Sequence, residues 1–159
     1  MKQVAVFVDV SNLYYCVGKS FTSRKLDYRR YMDNAKHYGE IYRAIAYGSF
    51  TGDVASKFIN CLRSGGYTTK FRKYDEDKRL VNWNTQIAVD VVNIVSKVDI
   101  VIFGSADPDL IPIVDWLESR GIQVINIASG IGRQWKKNNK KIVEITEDLL
   151  EDIQEGKDV

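Results

Sequence analysis

The sequence predicts an α/β protein in which a mainly parallel sheet is packed against helices. Three short apolar runs, at residues 4–8, 100–103 and 122–127, are typical of strands that are buried on both faces. Segments with helical periodicity separate the strands, and this alternation indicates βαβ crossovers, which pair strands in parallel. With 159 residues, of which 45% are hydrophobic, the chain is expected to form one domain with a substantial core.

The first half of the chain predicts three strands and three helices. The apolar run of the first strand ends abruptly in polar residues at 9–12, and Gly65 and Gly66 end the third helix. The predicted elements are a strand over 4–8, helices over 12–19 and 28–38, a strand over 41–47, a helix over 51–63 that includes Val54, and a strand over 67–74.

The second half repeats the alternation after a charged loop at residues 75–79. Its helices are indicated by apolar residues on one face, and its strands by continuous apolar runs. The predicted elements are a helix over 83–95, a strand over 100–103, a helix over 108–120, a strand over 122–127, a short strand over 142–145 and an acidic tail helix from about residue 146.

Composition excludes several classes of protein. The single histidine, His37, excludes a catalytic histidine pair or a histidine-rich zinc site. Cys16 and Cys61 are too few for a disulfide scaffold, and we expect both to be reduced and mostly buried. The N-terminus lacks the pattern of a signal peptide, and no apolar run is long enough to span a membrane. We therefore expect a cytoplasmic protein without a membrane partner.

Aspartates follow two of the most apolar predicted strands. Asp9 ends the first strand, and Asp107 and Asp109 follow the strand at 100–103. If these strands are neighbours, the three carboxylates lie at one edge of the sheet, where ligands of α/β proteins bind. Like charges this close repel unless a cation is present, and oxygen ligands suit Mg²⁺ or Mn²⁺. Such an ion serves phosphate chemistry, which suggests a nucleic-acid phosphate as the substrate group.

Each aspartate also has a structural interpretation. Asp9 is a common residue type in turns. Asp107 could cap the next helix, but Pro112 is tolerated only in a first helical turn, which favours Asp109 as the cap and leaves Asp107 free in the loop. Asp90, within an apolar helical segment, is either buried with a partner or metal, or exposed on a polar face. The joint placement of the aspartates favours the metal site.

Three segments carry a resemblance to a known family. Residues 6–14 (VFVDVSNLY), 87–90 (IAVD) and 104–112 (GSADPDLIP) resemble the three motifs of the NYN domain family, a PIN-like nuclease group that includes LabA-like proteins. The resemblance implies a single NYN domain over residues 1–159. It also implies a three-layer, Rossmann-like PIN fold, a divalent metal (Mg²⁺ or Mn²⁺) and ribonuclease activity.

The resemblance also implies roles for individual residues. It assigns metal ligation to Asp9, Asp90, Asp107 and Asp109, catalytic roles to Asp9, Asp90, Asp107 and the site-shaping Asn12, and a place in the site lining to Asn84 and Ser105. Asn84 stands where the family motif has an acid, and Asn139-Lys140 stands where many relatives have Ala-Asp. Both changes remove negative charge, so we expect weaker binding of a second metal ion.

Basic residues cluster in three segments, at 19–30, 70–79 and 133–141. Phe21 and Tyr28 lie within the first, and Trp135 lies within the last, which has five basic residues and no acid. Lysine and arginine commonly line solvated surfaces, but basic residues interleaved with aromatics suit single-stranded nucleic acid. We favour the segment 133–141, because the loop after the last apolar strand should open onto the face of the acids. The predicted RNA contacts are Arg133, Lys136, Lys137, Lys140 and Lys141.

Two functions remain open. The first is a metal-dependent ribonuclease acting on single-stranded RNA, and the second is a catalytically weak RNA-binding or partner-docking module on the same fold. A dinucleotide-binding protein would need a glycine-rich turn after the first strand, and a haloacid-type phosphatase would need an acid at Ser11. RNA is the expected partner, and a homodimer is compatible with the sequence.

Overall fold

The computed structural model describes residues 1–51, 55–74 and 81–153. Its centre is a sheet of six strands in the order β3-β2-β1-β4-β5-β6, and every pairing between neighbours is parallel. The strands are β1 (Gln3–Asp9), β2 (Glu40–Phe50), β3 (Thr68–Lys73), β4 (Ile100–Gly104), β5 (Gln123–Ala128) and β6 (Ile142–Glu144). The predicted parallel sheet is thus confirmed.

Six α-helices and four short 3-10 helices accompany the strands in the described part of the chain, and the last 3-10 helix follows β6. The α-helices are α1 (Val10–Ser20), α2 (Tyr28–Ala35), α3 (Ser56–Ser64), α4 (Asn84–Ile94), α5 (Ile111–Ser119) and α6 (Arg133–Lys137). The 3-10 helices are Lys36–Tyr38, Val95–Lys97, Pro108–Leu110 and Glu147–Leu149. Capping side chains account for two of the α-helix starts: Asp9 caps α1, and Asp27 caps α2 by accepting the backbone N–H groups of Arg29 and Arg30.

The helices lie on both faces of the sheet. The chain moves outward from β1 to β3 and then returns to β4 on the other side of β1, and right-handed crossovers place the two sets of helices on opposite faces. Side chains agree with this arrangement. A Cβ added to Gly104 of β4 would lie close to Val8 of β1 and to Leu13 of α1, so α1 covers this face of the sheet. Tyr47 projects from the other face, where its hydroxyl donates a hydrogen bond to Asp90 of α4.

The core is densest around the two central strands. Residues 4–8 of β1 are at most 1% exposed, and all of β4 is buried. Tyr31 of α2 is buried against this part of the sheet, where its hydroxyl donates to the Ile127 carbonyl at 2.8 Å. Burial on both faces explains why these strands read as continuous apolar runs in the sequence.

Two expectations about local structure were wrong. As far as residue 153, where the described part of the chain ends, the acidic tail forms the 3-10 helix Glu147–Leu149 in place of a longer helix. Leu149 and Leu150 are buried there, and the segment pairs with residues 25–27. Cys61 is exposed and Cys16 only half-buried, so the thiols are not core residues. The loop at 75–79 and Val54 lie outside the described residues.

No helix in the described part of the chain combines the length and the apolar character needed to cross a membrane.

Candidate active site

A cleft of about 910 Å³ opens at the carboxyl edge of the sheet, beside the point where the strand order reverses. Asp9, Asn12, Asn84 and Asp107 line it. Asp9 ends β1, Asp107 follows β4, and these strands are neighbours. The carboxyl ends of parallel strands meet at one edge, so the fold brings together two of the four predicted ligands.

Asp9 is held in place by the start of the first helix. Its Oδ1 accepts the backbone N–H of Asn12 at 3.1 Å, which caps α1. Burial raises the pKa of Asp9, and the charge of Asp107 raises it further, against the opposing effect of the Asn12 hydrogen bond. The carboxylate of Asp9 is therefore a costly charge unless a cation lies beside it.

Asp107 has a different role from the one expected for a free loop residue. Its Oδ1 accepts the backbone N–H of Asp109 at 2.9 Å and caps the 3-10 helix Pro108–Leu110, so the prediction that Asp109 is the cap was wrong. The extra 3-10 turn explains the difference, because it lets Pro112 fall in the first turn of α5 while the cap lies further upstream. Asp109 is exposed, and it is not one of the described residues that line the cleft.

Three side chains clamp the loop that carries Asp107. The side-chain oxygen of Asn12 accepts the backbone N–H of Ala106 at 2.9 Å. The carbonyl of Ala106 accepts the indole N–H of buried Trp135 at 3.0 Å. Buried Asn126 of β5 donates to the Ser105 carbonyl at 2.7 Å. These hydrogen bonds fix the loop beside the cleft. Asn12 lines the cleft, whereas Ser105, which was predicted to line it, is buried and is not among the described lining residues, because its side chain is turned into the loop that it supports.

Asp90 is buried, with 7% of the residue exposed, but it does not join the other acids. Its Oδ2 accepts the Tyr47 hydroxyl at 2.7 Å and the Lys70 ammonium at 2.8 Å, and its Oδ1 accepts the Gln86 amide at 3.0 Å. Burial raises the pKa of Asp90, but the hydrogen bonds from Lys70, Tyr47 and Gln86 and the Lys70 charge outweigh it and hold the pKa below its usual range. The cation beside Asp90 is therefore a lysine.

Asp9, Asp107 and the Asn84 amide are the candidate metal-binding groups of the cleft, whose described lining also includes the exposed carboxylate of Glu151. Among residues 1–51, 55–74 and 81–153, no group of three or more His, Cys, Asp or Glu side chains is arranged to hold a metal ion. Asn84 donates through Nδ2 to Oδ2 of Asp107 at 2.9 Å, and its own Oδ1 is buried without a hydrogen-bond partner in the described part of the chain. Two carboxylates and an unpaired amide oxygen are hard donors that fit Mg²⁺ or Mn²⁺.

Comparison with known sequences identifies the family. The model of the NYN domain family matches residues 3–150, which is nearly the whole chain. The chain belongs to the NYN domain family. The NYN domain has a PIN-like nuclease fold, and PIN-like nucleases generally use divalent metal ions.

A solved structure supports the same fold. The crystal structure of a protein of unknown function from Vibrio parahaemolyticus RIMD 2210633 is similar with a TM-score of 0.83, at 24% sequence identity, and the match covers 94% of this chain and 96% of that chain. This similarity confirms the three-layer PIN-like fold predicted for the NYN domain. A search of curated proteins finds no match.

The five basic residues of the NYN domain that were predicted to contact RNA divide into two groups. Arg133, Lys136 and Lys137 are exposed on α6, and Trp135 anchors this helix beside the Ala106 loop. Lys140, in contrast, is ion-paired with Asp115 and Glu118 of α5, and the Lys141 ammonium lies 6.0 Å from the Tyr38 ring centroid. Because β6 is parallel to β5, the chain must cross back to the edge of the sheet where the strands begin before it enters β6. Lys140 and Lys141, which directly precede β6, therefore lie away from the edge that carries the acids.

The wall of the cleft contains residues that sequence reasoning did not select as site residues. Two are basic, and seven are aromatic: Arg24, Lys25, Tyr14, Tyr15, Tyr28, Phe58, Phe71, Tyr74 and Trp83. The interleaving of basic and aromatic residues at 19–30 was the available signal for Arg24, Lys25 and Tyr28. The clamp residue Asn126 also had a signal, since it interrupts an apolar strand. Lys70 had none, because its contact with Asp90 depends on tertiary structure.

Proposed function

We propose that this NYN domain is a divalent-metal-dependent ribonuclease that hydrolyses phosphodiester bonds in single-stranded RNA. The supporting observation is that Asp9, Asp107 and the unpartnered Oδ1 of Asn84 lie in one cleft whose wall is basic and aromatic. A concave site that contains a carboxylate with a raised pKa, here Asp9, is typical of catalytic centres.

Asp9 and Asp107 are the residues that would hold the metal, with Asn84 contributing an amide oxygen. The bound ion would polarise the scissile phosphate and lower the pKa of an attacking water. Asn12 keeps Asp107 in position through its bond to Ala106, and Ser105 supports the same loop by accepting the Asp107 N–H at 3.2 Å. Asp109 is exposed and is not among the described residues that line the cleft, so we do not assign it to the metal.

The cleft wall suits unpaired bases. Tyr14 and Tyr15 are 68% and 67% exposed, so their rings are available for stacking, and Phe58 packs edge-on against both Tyr28 and Phe71. Aromatic side chains stack on unpaired bases, which a duplex does not offer. Arg24 and Lys25 would bind phosphates in the cleft, and Arg133, Lys136 and Lys137 would extend this contact along α6.

The test is cleavage of a labelled single-stranded RNA with Mn²⁺ and with EDTA. We expect cleavage that requires Mn²⁺, is lost in Asp9→Asn and rises in Asn84→Asp, since the added carboxylate holds the ion more tightly. Asp109→Asn is the matched control for removing one carboxylate in the same region, and it should retain most of the activity. In the same preparations Mn²⁺ should raise the melting temperature of the wild type but not of Asp107→Asn.

A catalytically weak RNA-binding module is the second candidate. One observation favours it: Asp90 is paired with Lys70, which leaves only Asp9 and Asp107 of the acids that the family motifs bring to the cleft. If RNA binds in EDTA and in Mn²⁺ alike, no preparation cleaves it and Asn84→Asp is silent, the fold serves binding alone.

A further inference from the structure

The aspartate of the second NYN motif has a lysine where a metal ion is expected. Asp90 Oδ2 is 2.8 Å from the Lys70 ammonium, and the carboxylate accepts two further hydrogen bonds from Tyr47 and Gln86. Both oxygens are therefore occupied by groups of the protein itself. A metal ion could bind Asp90 only by displacing Lys70 and losing the short charged hydrogen bond.

The strand register places Lys70 at this position. Asp9, Tyr47 and Lys70 are direct partners across β1, β2 and β3, so their side chains project from one face of the sheet. The next residue, Phe71, projects from the other face, where its ring lies against Gly48 and leaves no room for a Cβ there. The alternation directs Lys70 toward α4, which carries Asp90.

Charge balance also favours a lysine over a second ion. One divalent ion would balance Asp9 and Asp107, and the Lys70 ammonium balances Asp90. A second divalent ion would add two positive charges that the described cleft residues do not balance. Asn84 is neutral, the exposed Asp109 lies outside the cleft lining, and the remaining lining carboxylate, the exposed Glu151, lies beside the basic residues Arg24 and Lys25, to which its backbone is hydrogen-bonded. Uncompensated charge in a partly buried site is unfavourable.

We propose that Lys70 is a built-in cation for Asp90 and that it restricts this NYN domain to one divalent ion, held by Asp9 and Asp107. This inference rests on the proposed function, because it concerns the metal of that same site. Asp90 and Lys70 are then positioning residues that fix α4 against β2 and β3, and neither is a metal ligand. The domain would then hold one divalent ion in the cleft and one fixed ammonium at Asp90.

The experiment counts bound Mn²⁺ without RNA, by calorimetric titration and by electron paramagnetic resonance of free Mn²⁺. The wild type should bind one ion. Lys70→Met keeps the length of the side chain but removes its charge, and it should bind a second ion because Asp90 becomes available. Lys73→Met, on the same strand and exposed, is the matched control and should bind one ion.

Asp90→Asn provides a second measurement that does not depend on the folding of Lys70→Met. It should bind one ion with an affinity within about twofold of the wild type, whereas Asp107→Asn should weaken binding by about tenfold or more. Two ions in the wild type, one ion in a folded Lys70→Met, or equal losses in Asp90→Asn and Asp107→Asn would overturn the inference while leaving the proposed function intact. A wild type that binds no Mn²⁺ overturns the proposed function and the inference with it.

Discussion

Tyr47→Phe is the cleanest perturbation of the buried network around Asp90. Tyr47 is 0% exposed, its hydroxyl donates to Asp90 at 2.7 Å, and its ring centroid lies 5.5 Å from that of Trp83. Phenylalanine keeps the ring and its packing, so the substitution removes one hydrogen bond to a charged group and opens no large cavity. Such a bond contributes about 1.5–3 kcal/mol. At about 2–4 °C per kcal/mol for a domain of this size, the melting temperature should fall by about 3–12 °C.

The pH dependence of this loss distinguishes a bond to a carboxylate from general packing. The folded-state pKa of Asp90 is lowered, so its contribution to stability is present above the unfolded pKa and is lost as pH falls through the folded pKa. Tyr47→Phe removes part of the cause of that lowering. The difference in stability between wild type and variant should therefore be largest at neutral pH and should shrink under acid conditions, where Asp90 is protonated.

The assay is thermal and urea unfolding followed by circular dichroism, in EDTA, from neutral pH down to the acid limit of the folded state. Tyr42→Phe is the control, because Tyr42 is 44% exposed, and it should change stability by less than about 0.5 kcal/mol. A Tyr47→Phe variant as stable as the wild type at neutral pH, or one equally destabilised at every pH, would refute the hydrogen-bonded network.

Three further predictions follow from the site. Burial and the charge of Asp107 raise the pKa of Asp9, so the stability associated with that carboxyl group is fully present below its unfolded pKa and is lost as pH rises. Asp9→Asn keeps the helix cap but removes the charge. Without metal, this variant should therefore have a higher melting temperature than the wild type at neutral pH, and the difference should vanish in acid. A Cβ at Gly104 would lie 2.7 Å from the Tyr31 hydroxyl, so Gly104→Ala should lower the free energy of unfolding in urea by about 1–3 kcal/mol. Replacing Arg24 and Lys25 with Gln should weaken RNA binding and flatten the salt dependence of log affinity by about 0.7 per lost phosphate contact; an unchanged slope would exclude them from the RNA path.

The local chemistry of the chain was enough to predict most elements. Residues 4–8 and 100–103 are apolar throughout because both faces of those strands are covered, and this signal does not depend on any distant residue. The acidic tail shows the limit of such reasoning. Its composition suits a solvated helix, but Leu149 and Leu150 are buried against the segment that precedes α2, and that contact spans more than a hundred positions of sequence.

The pairing of Asp9 with Asp107 in one cleft followed from sequence, given only that the two buried strands are neighbours. The hydrogen-bond partners of Asp90 did not follow from the sequence. Its apolar surroundings left burial and exposure open. The structure shows that Asp90 is buried, and the register of β2 and β3 sets Lys70 beside Tyr47 next to α4. Register is a property of the assembled sheet, and no local pattern around residue 70 encodes it.

The sequence by itself determined the fold class, the NYN family and the two strand-end carboxylates, because apolar runs and the acids that end them are local features. Only the tertiary structure decided which charges meet. It places Lys70 on Asp90, Lys140 on Asp115 and Glu118, and leaves the Oδ1 of Asn84 buried beside Asp107 without a partner in the described chain. The physical reason is that strand order, register and helix rotation set the distance between two charged side chains, and these are properties of the packed chain.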